Sequence, residues 1–449
     1  MYEEGFMSWQ QIYKQRLMSS KEAAKLVQSG DLFCTPLAMG QPSAVIMDDI
    51  ADRKDELTDV EYWSNLVLRP YKIFRPEYRK AFTLVCSFYS SVILQEIAKS
   101  EWANTWTTQG ADAGTKYMHR KRVFKRRTGT ITQVAPPDEH GYVNLGIDTF
   151  YTEEMMDHSD YVIAQVNPMM PRTYGQSNFH VSRFTAFVEH EEPIIAMPTP
   201  QATELEVKMA EYVVSLMRDR DCIQVGIGAV PAMISKLLEQ SNLKDLGIHT
   251  EMAPAGTHRL VEKGIVTGRY KKTNPGKIIT AFSLGDRELY DFLEENPMVE
   301  FRPTCYCNRP SVIAEEDNVI AINGSIEVDL TGQIVSESIG NTMRSGAGGQ
   351  LDFAIGSFWS KGGRAVNLVP STTSDESVSR IVPYISQGAR VTLPRNYVGF
   401  VVTEYGIADL YGRTEQEKAE ALINIAHPKF REELEKDARE RGLVKKKAF

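Results

Sequence analysis

Two short segments of the sequence offer groups that could do chemistry at one place. Residues 246–252, Leu-Gly-Ile-His-Thr-Glu-Met, predict a short strand that ends on the carboxylate of Glu251. The Gly-rich stretch from Gly226 to Pro231 follows a strand-like run and opens a helix-like run, so it predicts a tight turn with free backbone N–H groups. A carboxylate beside amide donors can act as a nucleophile, a general base or a ligand of a ribose. Which of these roles Glu251 has decides what the protein does.

Two more segments carry groups that suit the same chemistry. Residues 346–349, Gly-Ala-Gly-Gly, cannot form regular structure cheaply, so they predict a loop that presents amides or admits a ligand. A flexible surface turn is the alternative, but the following apolar residues 353–355 indicate that the chain returns directly to a packed element. A buried-looking strand that starts at Val319 ends on Asn323, whose amide can donate a hydrogen bond. An isolated Asn at such a place is also a common turn former.

The Gly-rich turn also resembles the opening of a dinucleotide-binding fingerprint. Glu251 even stands at about the distance past Gly228 where a ribose-binding acid would lie. Against this interpretation, Pro231 occupies the position of the third glycine. Proline favours the first turn of a helix, where its missing N–H is not needed. A tight strand-to-helix turn without any ligand is the third alternative.

Alternating strands and helices are predicted to position these groups. Strand-like runs recur through both halves of the chain, as in residues 129–134, 161–166, 222–225 and 319–326, with helical stretches between them. This alternation favours α/β domains with mainly parallel sheets. A Pro-rich segment, residues 191–200, is the boundary candidate. We therefore predict an N-terminal α/β domain over 1–195 and a C-terminal α/β domain over 196–449 that carries Glu251. The apolar stretch 81–98 is predicted to be a buried helix.

Composition narrows the classes of function. The chain has 449 residues and a net charge of −8, which argues against nucleic acid as a partner. A basic run, residues 119–127, favours a solvated face or strand edge over a local anion site. Five cysteines in so long a chain predict neither a disulfide framework nor a metal site. We find no signal-peptide core at the start and no membrane-spanning run, so the expected location is the cytoplasm.

Taken together, seven spaced motifs resemble a known family. The chain is similar to the acetyl-CoA hydrolase/transferase family, and especially to its 4-hydroxybutyrate and butyryl-CoA:acetate CoA-transferases. The resemblance covers nearly the whole chain. The motifs are Gly226–Pro231, Gly247–Met252, Ile322–Asp329, Gly346–Phe353, Ser379–Pro383, Val402–Leu410 and His427–Arg431.

The resemblance implies a role for each candidate residue. Glu251 would be the nucleophile, Asn323 would lie at the reacting thioester, and Glu404 would be a second carboxylate facing the site. The family's CoA-binding positions correspond to two groups of residues. These are Gly226, Ile227, Gly228, Ala229 and Val230 in the first turn, with Gly348 and Gly349 in the second. The implied fold is two open α/β domains of CoA-transferase type with the active site at their interface.

The implied reaction moves CoA between a short-chain acyl-CoA and a free carboxylate such as acetate, by a ping-pong mechanism through a glutamyl-CoA thioester. Butyryl-, 4-hydroxybutyryl-, propionyl- and acetyl-CoA all fit. CoA and acyl-CoA would be substrates, with no permanently bound cofactor, no metal and no membrane partner, and the enzyme would be a homodimer or larger homo-oligomer.

Two alternatives to this reaction stay open. They are hydrolysis through the same thioester and, more remotely, NAD-dependent oxidoreduction. Two departures from the family pattern leave phosphate binding and acyl specificity open: residues 371–377 contain no Lys, and residues 253–256 read Ala-Pro-Ala-Gly.

Overall fold

The computed structural model describes residues 7–86, 88–89, 96–97, 102–105, 126–198, 200–226 and 228–444. Among these residues, no helix is long and apolar enough to cross a membrane. Ile227 and residues 119–125 of the basic run lie outside the described residues.

The strands are numbered in chain order through the described part of the sequence. They are β1 Leu32–Cys34, β2 Val60–Trp63, β3 Phe82–Cys86, β4 Ala103–Thr105, β5 Thr128–Val134, β6 Tyr142–Asn144, β7 Tyr161–Val166, β8 Tyr174–Gly175, β9 Asn178–His180, β10 Ala186–Glu189, β11 Cys222–Val225, β12 Gly247–Ile248, β13 Met252–Ala253, β14 Ile278–Thr280, β15 Phe282–Ser283, β16 Val299–Phe301, β17 Val319–Gly324, β18 Glu327–Asp329, β19 Ile334–Val335, β20 Ser338–Ile339, β21 Thr342–Met343, β22 Arg364–Leu368, β23 Ile381–Val382, β24 Phe400–Thr403 and β25 Gly406–Asp409.

The α-helices are numbered in the same way. They are α1 Trp9–Arg16, α2 Ser20–Ala24, α3 Ala44–Ala51, α4 Thr152–Asp157, α5 Glu204–Leu216, α6 Ala229–Leu238, α7 Thr257–Glu262, α8 Arg287–Leu293, α9 Thr304–Cys307, α10 Pro310–Ile313, α11 Gln350–Trp359, α12 Glu415–Asn424 and α13 Pro428–Glu440. Short 3-10 helices occur at Ala38–Gly40, Lys72–Phe74, Pro76–Tyr78 and Val181–Arg183.

The chain divides into two compact units. The first comprises the described residues up to Ala196 together with Ala281–Thr304, and the second comprises Met197–Thr280 and the described residues from Cys305 onward. The sequence-based division at 195/196 therefore differs from the structure over Ala281–Thr304. This segment belongs to the first unit because it bonds there: Thr149 N–H donates to the Ala281 carbonyl at 2.9 Å.

A seven-stranded sheet forms the first unit, in the order β10-β7-β5-β1-β2-β3-β4, and its strand pairs are all parallel. Every residue of β5 and of β7 is buried, as expected for central strands of a sheet with both faces covered. One core cluster joins Ile46, Met47 and Ile50 of α3 to Phe33 and Tyr62 of the sheet. The predicted α/β class is confirmed here.

One sequence prediction fails on strand propensity. Residues 81–98 were expected to form a buried helix, but Phe82–Cys86 is the buried strand β3, and most of the remainder lies outside the described residues. The run Phe-Thr-Leu-Val-Cys suits a strand, because β-branched and aromatic side chains pack well on a pleated surface.

The basic run is partly described. Arg126 donates to the Asp59 carbonyl at 2.6 Å, and Arg127 pairs with the Asp31 carboxylate at 2.8 Å. Both arginines therefore bind acidic residues of the first unit. These contacts favour a solvated strand edge over an anion-binding site for the C-terminal end of the basic run, residues 126–127.

A second mainly parallel sheet forms the second unit, in the order β12-β11-β17-β22-β24-β25. Only its edge strand, β25, runs antiparallel to its neighbour. Helices α11, α12 and α13 contribute Ala354, Leu422 and Leu434 to a core cluster that also contains Val401 of β24. Chain order reverses at β11, since β12 lies on one side of it and β17 on the other. Ligands of open α/β sheets bind beyond the carboxyl ends of the strands at such a reversal.

Candidate active site

The carboxyl ends of neighbouring strands bring most of the candidate residues to one edge of the second sheet. Strand β11 pairs in parallel with β12 and with β17, with Ile223 opposite Ile248 and Val225 opposite Ile322. The Gly-rich turn follows β11, Glu251 follows β12, and Asn323 is near the end of β17. Glu404 directly follows β24, two strands further along the same edge.

Glu251 lies in a bend between two short strands and not at the end of one longer strand. Its backbone is held on both sides, since Thr250 N–H donates to the Ile279 carbonyl at 2.9 Å and the Thr280 hydroxyl donates to the Glu251 carbonyl at 3.3 Å. The sequence of residues 246–252 reads as one continuous strand, so the break between β12 and β13 could not be predicted from it.

The Glu251 carboxylate is held by one side chain. Asn308 Nδ2 donates to Glu251 Oε2 at 2.5 Å. Burial raises the pKa of the Glu251 carboxyl, and the hydrogen bond from Asn308 opposes that rise. A carboxylate that is partly withdrawn from water is less well solvated and therefore more reactive toward an acyl carbon.

Gly349 forms the wall against which this carboxylate lies. A Cβ atom added at Gly349 would overlap both Glu251 Oε2 and Asn308 Nδ2. Gly349 is also the N-cap of α11, and no side chain caps that helix. The first N–H groups of a helix have no partner inside it, and its N-terminus favours negative charge. The carboxylate therefore stands beside a helix end that suits an anion.

Gly348 and Gly349 of the second Gly turn are required for different reasons. Gly348 has a φ of +57°, in the left-handed region that favours glycine. Gly349 has a φ of −94° and a ψ of 0°, which any residue can adopt. Gly349 is required by the close approach of Glu251 and not by its backbone conformation. Gln350, the next residue, ties the turn to the sheet edge by donating to Asn367 at 3.0 Å.

Asn323 faces another partner. Its side-chain amide exchanges two hydrogen bonds with Gln224 of the neighbouring strand, at 3.1 and 3.2 Å. Gly226 is next to this pair: its N–H donates to the Ile322 carbonyl at 3.1 Å, and an added Cβ would stand 3.8 Å from Asn323 Oδ1. Within the described residues, the structure brings Asn323 to Gly226 and not into hydrogen-bond contact with Glu251.

Glu404 is held by the loop that follows β22. Its Oε2 accepts the Ser371 N–H at 3.0 Å, and its Oε1 accepts the Ser371 hydroxyl. Both carboxylate oxygens are thus engaged by one residue of the segment 371–377. Glu404 therefore lies at the same edge of the second sheet as Glu251, as predicted, but its hydrogen bonds hold the loop at Ser371.

The first Gly turn opens α6 without a side-chain cap. Gly228 is the N-cap, with a φ of +141°, and Ala229 and Val230 are the first two residues of the helix. Pro231 lies in the first turn, as its missing N–H led us to expect. Free N–H groups at this helix end could hold an anionic part of a ligand. Ile227, the remaining residue of the predicted CoA-binding turn, lies outside the described residues.

Asn308 and His249 were missed by sequence reasoning. His249 Nε2 donates to the Cys307 carbonyl at 2.9 Å, and burial lowers the His249 pKa to about 3, so the ring is neutral. Asn308 is far from Glu251 in sequence and belongs to none of the seven motifs. Among the described residues, no three His, Cys, Asp or Glu side chains cluster in a way that could hold a metal ion.

Comparison with known proteins identifies the family of the chain. Residues 285–438 match the model of the acetyl-CoA hydrolase/transferase C-terminal domain, and residues 123–198 match that of its N-terminal domain. The chain belongs to the acetyl-CoA hydrolase/transferase family.

Relatives that match over nearly the full length carry CoA-transferase names. The chain is 37% identical to the succinyl-CoA:cyclohexane-1-carboxylate CoA transferase of Geobacter metallireducens, covering 97% of this chain and 98% of the relative. It is 36% identical to the 4-hydroxybutyrate coenzyme A transferase of Clostridium kluyveri, covering 97% and 100%. The crystal structure of RipA from Yersinia pestis superposes with a TM-score of 0.90 at 30% identity, covering 98% of this chain and 100% of that one.

Proposed function

We propose that this protein is an acyl-CoA:carboxylate CoA-transferase that uses Glu251 as its nucleophile and a short-chain acyl-CoA as donor. The observation that carries the proposal is the Glu251 carboxylate, partly buried, held at one oxygen by Asn308 and set against the uncapped N-terminus of α11. Family membership favours CoA chemistry over a dinucleotide, and Pro231 in the first turn of α6 points the same way.

The proposed cycle needs only a carboxylate and oxyanion donors. Glu251 attacks the carbonyl carbon of the acyl-CoA, the C–S bond breaks, and an acyl-glutamyl anhydride and CoA thiolate form. The thiolate then attacks the glutamyl carbon and expels the free acid, leaving a glutamyl-CoA thioester. A second carboxylate reverses these steps, so that a new acyl-CoA leaves and Glu251 is restored.

Each attack creates a tetrahedral oxyanion. Backbone N–H groups at the start of α11 support the proposal as donors, because they are free of side-chain caps and lie next to Glu251. The turn from Gly226 to Val230 is proposed to receive CoA at the start of α6. Acetyl-, propionyl-, butyryl- and 4-hydroxybutyryl-CoA are the candidate donors, and acetate is the candidate acceptor.

Mass spectrometry with borohydride trapping tests the mechanism. Incubation with butyryl-CoA should add CoA to the protein, and borohydride should then convert the side chain of residue 251 to an alcohol. Glu251→Ala and Glu251→Gln should fold and lose transfer by several orders of magnitude. A trapped label on another residue, or near-full activity of either variant, would refute Glu251 as nucleophile.

Hydrolysis through the same thioester is separated by one comparison. Free thiol released from butyryl-CoA is measured with and without acetate, together with the acetyl-CoA formed. A transferase should form acetyl-CoA without net thiol release. Equal thiol release in both samples, with no acetyl-CoA, would assign the protein to the hydrolases of the family.

A further inference from the structure

A side chain outside the recognised motifs touches the reacting carboxylate. Asn308 is 1% exposed, and its Nδ2 donates to Glu251 Oε2 at 2.5 Å. The Oδ1 atom of Asn308 is buried and accepts no hydrogen bond within the described part of the chain. Burying an amide with an unused acceptor costs free energy, which indicates that the contact with Glu251 has a purpose beyond stability.

Two features of the surrounding structure constrain the position of the Asn308 amide. The Cys307 carbonyl, on the preceding residue, accepts from His249 Nε2 at 2.9 Å. His249 and Glu251 both bond the end of α9, His249 at the Cys307 carbonyl and Glu251 at the Asn308 side chain. Gly349 completes the arrangement, because a Cβ there would overlap both Asn308 Nδ2 and Glu251 Oε2. Asn308 is therefore preorganised against Oε2.

We propose that Asn308 is a catalytic residue whose side-chain N–H stabilises the oxyanion formed on Glu251 Oε2 whenever the glutamyl carbon is attacked. The inference rests on the proposed function, since it requires Glu251 to be the nucleophile. Two carbonyl carbons are attacked in the cycle, and each attack forms an oxyanion with its own hydrogen-bond donor. Asn308 donates to the oxyanion at the glutamyl carbon, and the backbone N–H groups at the start of α11 donate to the oxyanion at the acyl carbon.

The bonding changes identify the oxygen concerned. Within the described residues, the side chain that donates to this carboxylate is Asn308, and it bonds Oε2. Oε1 is therefore the oxygen left to attack the acyl carbon and become the bridging oxygen of the anhydride. When CoA thiolate attacks the glutamyl carbon, an electron pair moves onto Oε2. The tetrahedral intermediate then expels the carboxylate, which carries Oε1 away, and Oε2 becomes the thioester carbonyl oxygen. The acceptor carboxylate attacks the same carbon and places the charge on Oε2 again.

Asn308→Leu and Asn308→Ala test this role. Leu keeps most of the volume without a donor, and Ala leaves space for water if Leu prevents folding. Loss of one oxyanion donor typically costs about 10²–10³ in rate. We expect that decrease in the single-turnover rate at which acetate discharges the isolated glutamyl-CoA thioester, with little change in the KM for acyl-CoA.

The pH dependence adds a readout that a merely structural residue would not change. Glu251 must be ionised to attack, and the Asn308 N–H favours the ionised form. Without it, the acidic limb of thioester formation should move to higher pH in both variants. Tyr306→Phe is the matched control. Tyr306 lies on α9, two residues before Asn308, and the substitution removes its 2.6 Å hydrogen bond to Asn274 while leaving the bond between Asn308 and Glu251 in place. It should keep the wild-type rate and pH limb.

The outcomes separate this inference from the function on which it rests. If wild-type protein forms the thioester on Glu251 but folded Asn308→Leu or Asn308→Ala discharges it at the wild-type rate with an unmoved pH limb, the inference is overturned and the transferase stands. An equal loss in Tyr306→Phe would also overturn it, because loosening of α9 would explain the effect. If no thioester forms on Glu251 in the wild type, the proposed function itself fails.

Discussion

Gly349→Ala is the sharpest test of how the site is built. Its φ of −94° and ψ of 0° are open to alanine, so the substitution adds no backbone strain. Loss of the cap preference of glycine should cost about 1 kcal/mol, and reduced freedom of the unfolded chain should offset about 0.4–1 kcal/mol of that. The overlap of the new Cβ with the side-chain ends of Glu251 and Asn308 adds a packing cost of about 1–3 kcal/mol. The free energy of unfolding should therefore fall by about 1–3 kcal/mol, which leaves the protein folded.

Activity should fall although the protein remains folded. The new Cβ would overlap Glu251 Oε2 and Asn308 Nδ2, so the carboxylate must move by about 1 Å, a displacement that can cost about 10²-fold in rate. Gly349→Val, which adds two methyl groups to the same Cβ, should lose more. The measurements are the rate of glutamyl thioester formation from butyryl-CoA and urea denaturation of the same samples.

Gly412→Ala is the opposite control. Gly412 has a φ of +63° and no atom within 4 Å of an added Cβ, so this variant acquires backbone strain without a steric clash. It should lose about 1–2 kcal/mol of stability and keep wild-type activity. If Gly349→Ala retained full activity, or lost activity only in proportion to unfolding, the close approach of Glu251 to the turn would not be part of the mechanism.

Three further predictions concern pH. Burial lowers the His249 pKa from 6.5 to about 3. Between these pH values the unfolded chain binds a proton that the folded chain does not, so the free energy of unfolding falls as pH falls. In His249→Gln, urea denaturation should show this slope reduced by about 1.4 kcal/mol per pH unit. Burial raises the Asp148 pKa from 3.8 to about 8, so stability should fall as pH rises through that window, and Asp148→Asn should lack this slope. Burial also raises the Glu251 pKa, so above that pKa Glu251→Gln should have a larger free energy of unfolding than the wild type. The difference in free energy between the two proteins should shrink as pH falls, and a difference that does not depend on pH would contradict this.

Much of the sheet architecture could be predicted because buried parallel strands leave a local signal. Tyr161–Val166 and Cys222–Val225 match their predicted bounds, since each is a short apolar run between turn residues. The stretch from Gly226 to Pro231 was predicted to be a turn that precedes a helix, whereas α6 begins within that stretch, at Ala229, and includes Pro231 in its first turn. Local sequence therefore located elements better than it located their ends.

The candidate site was only partly accessible from sequence because its contacts join distant segments. Glu251 could be singled out as a carboxylate near a strand end, and its neighbour Gly349 as part of a Gly-rich loop. No local sequence pattern identifies Asn308 as the hydrogen-bond partner of Glu251, because that pairing depends on the three-dimensional position of the end of α9. The pairing of Asn323 with Gln224 was hidden for the same reason: strand register decides it.

The return of Ala281–Thr304 to the first unit has a consequence for synthesis of the chain on the ribosome. Within that unit, the Tyr290 hydroxyl donates to the Ile195 carbonyl at 3.1 Å, and Gln176 N–H donates to the Phe301 carbonyl at 2.8 Å. Leu289, Tyr290 and Phe301 are all buried. A nascent chain that has emerged only as far as Ala196 lacks these partners, so the first unit cannot complete its core until the strands up to β16 have also been made. The first unit therefore cannot finish folding before synthesis of the second unit has begun. A fragment that ends at the Pro-rich segment, residues 191–200, should expose apolar surface and aggregate.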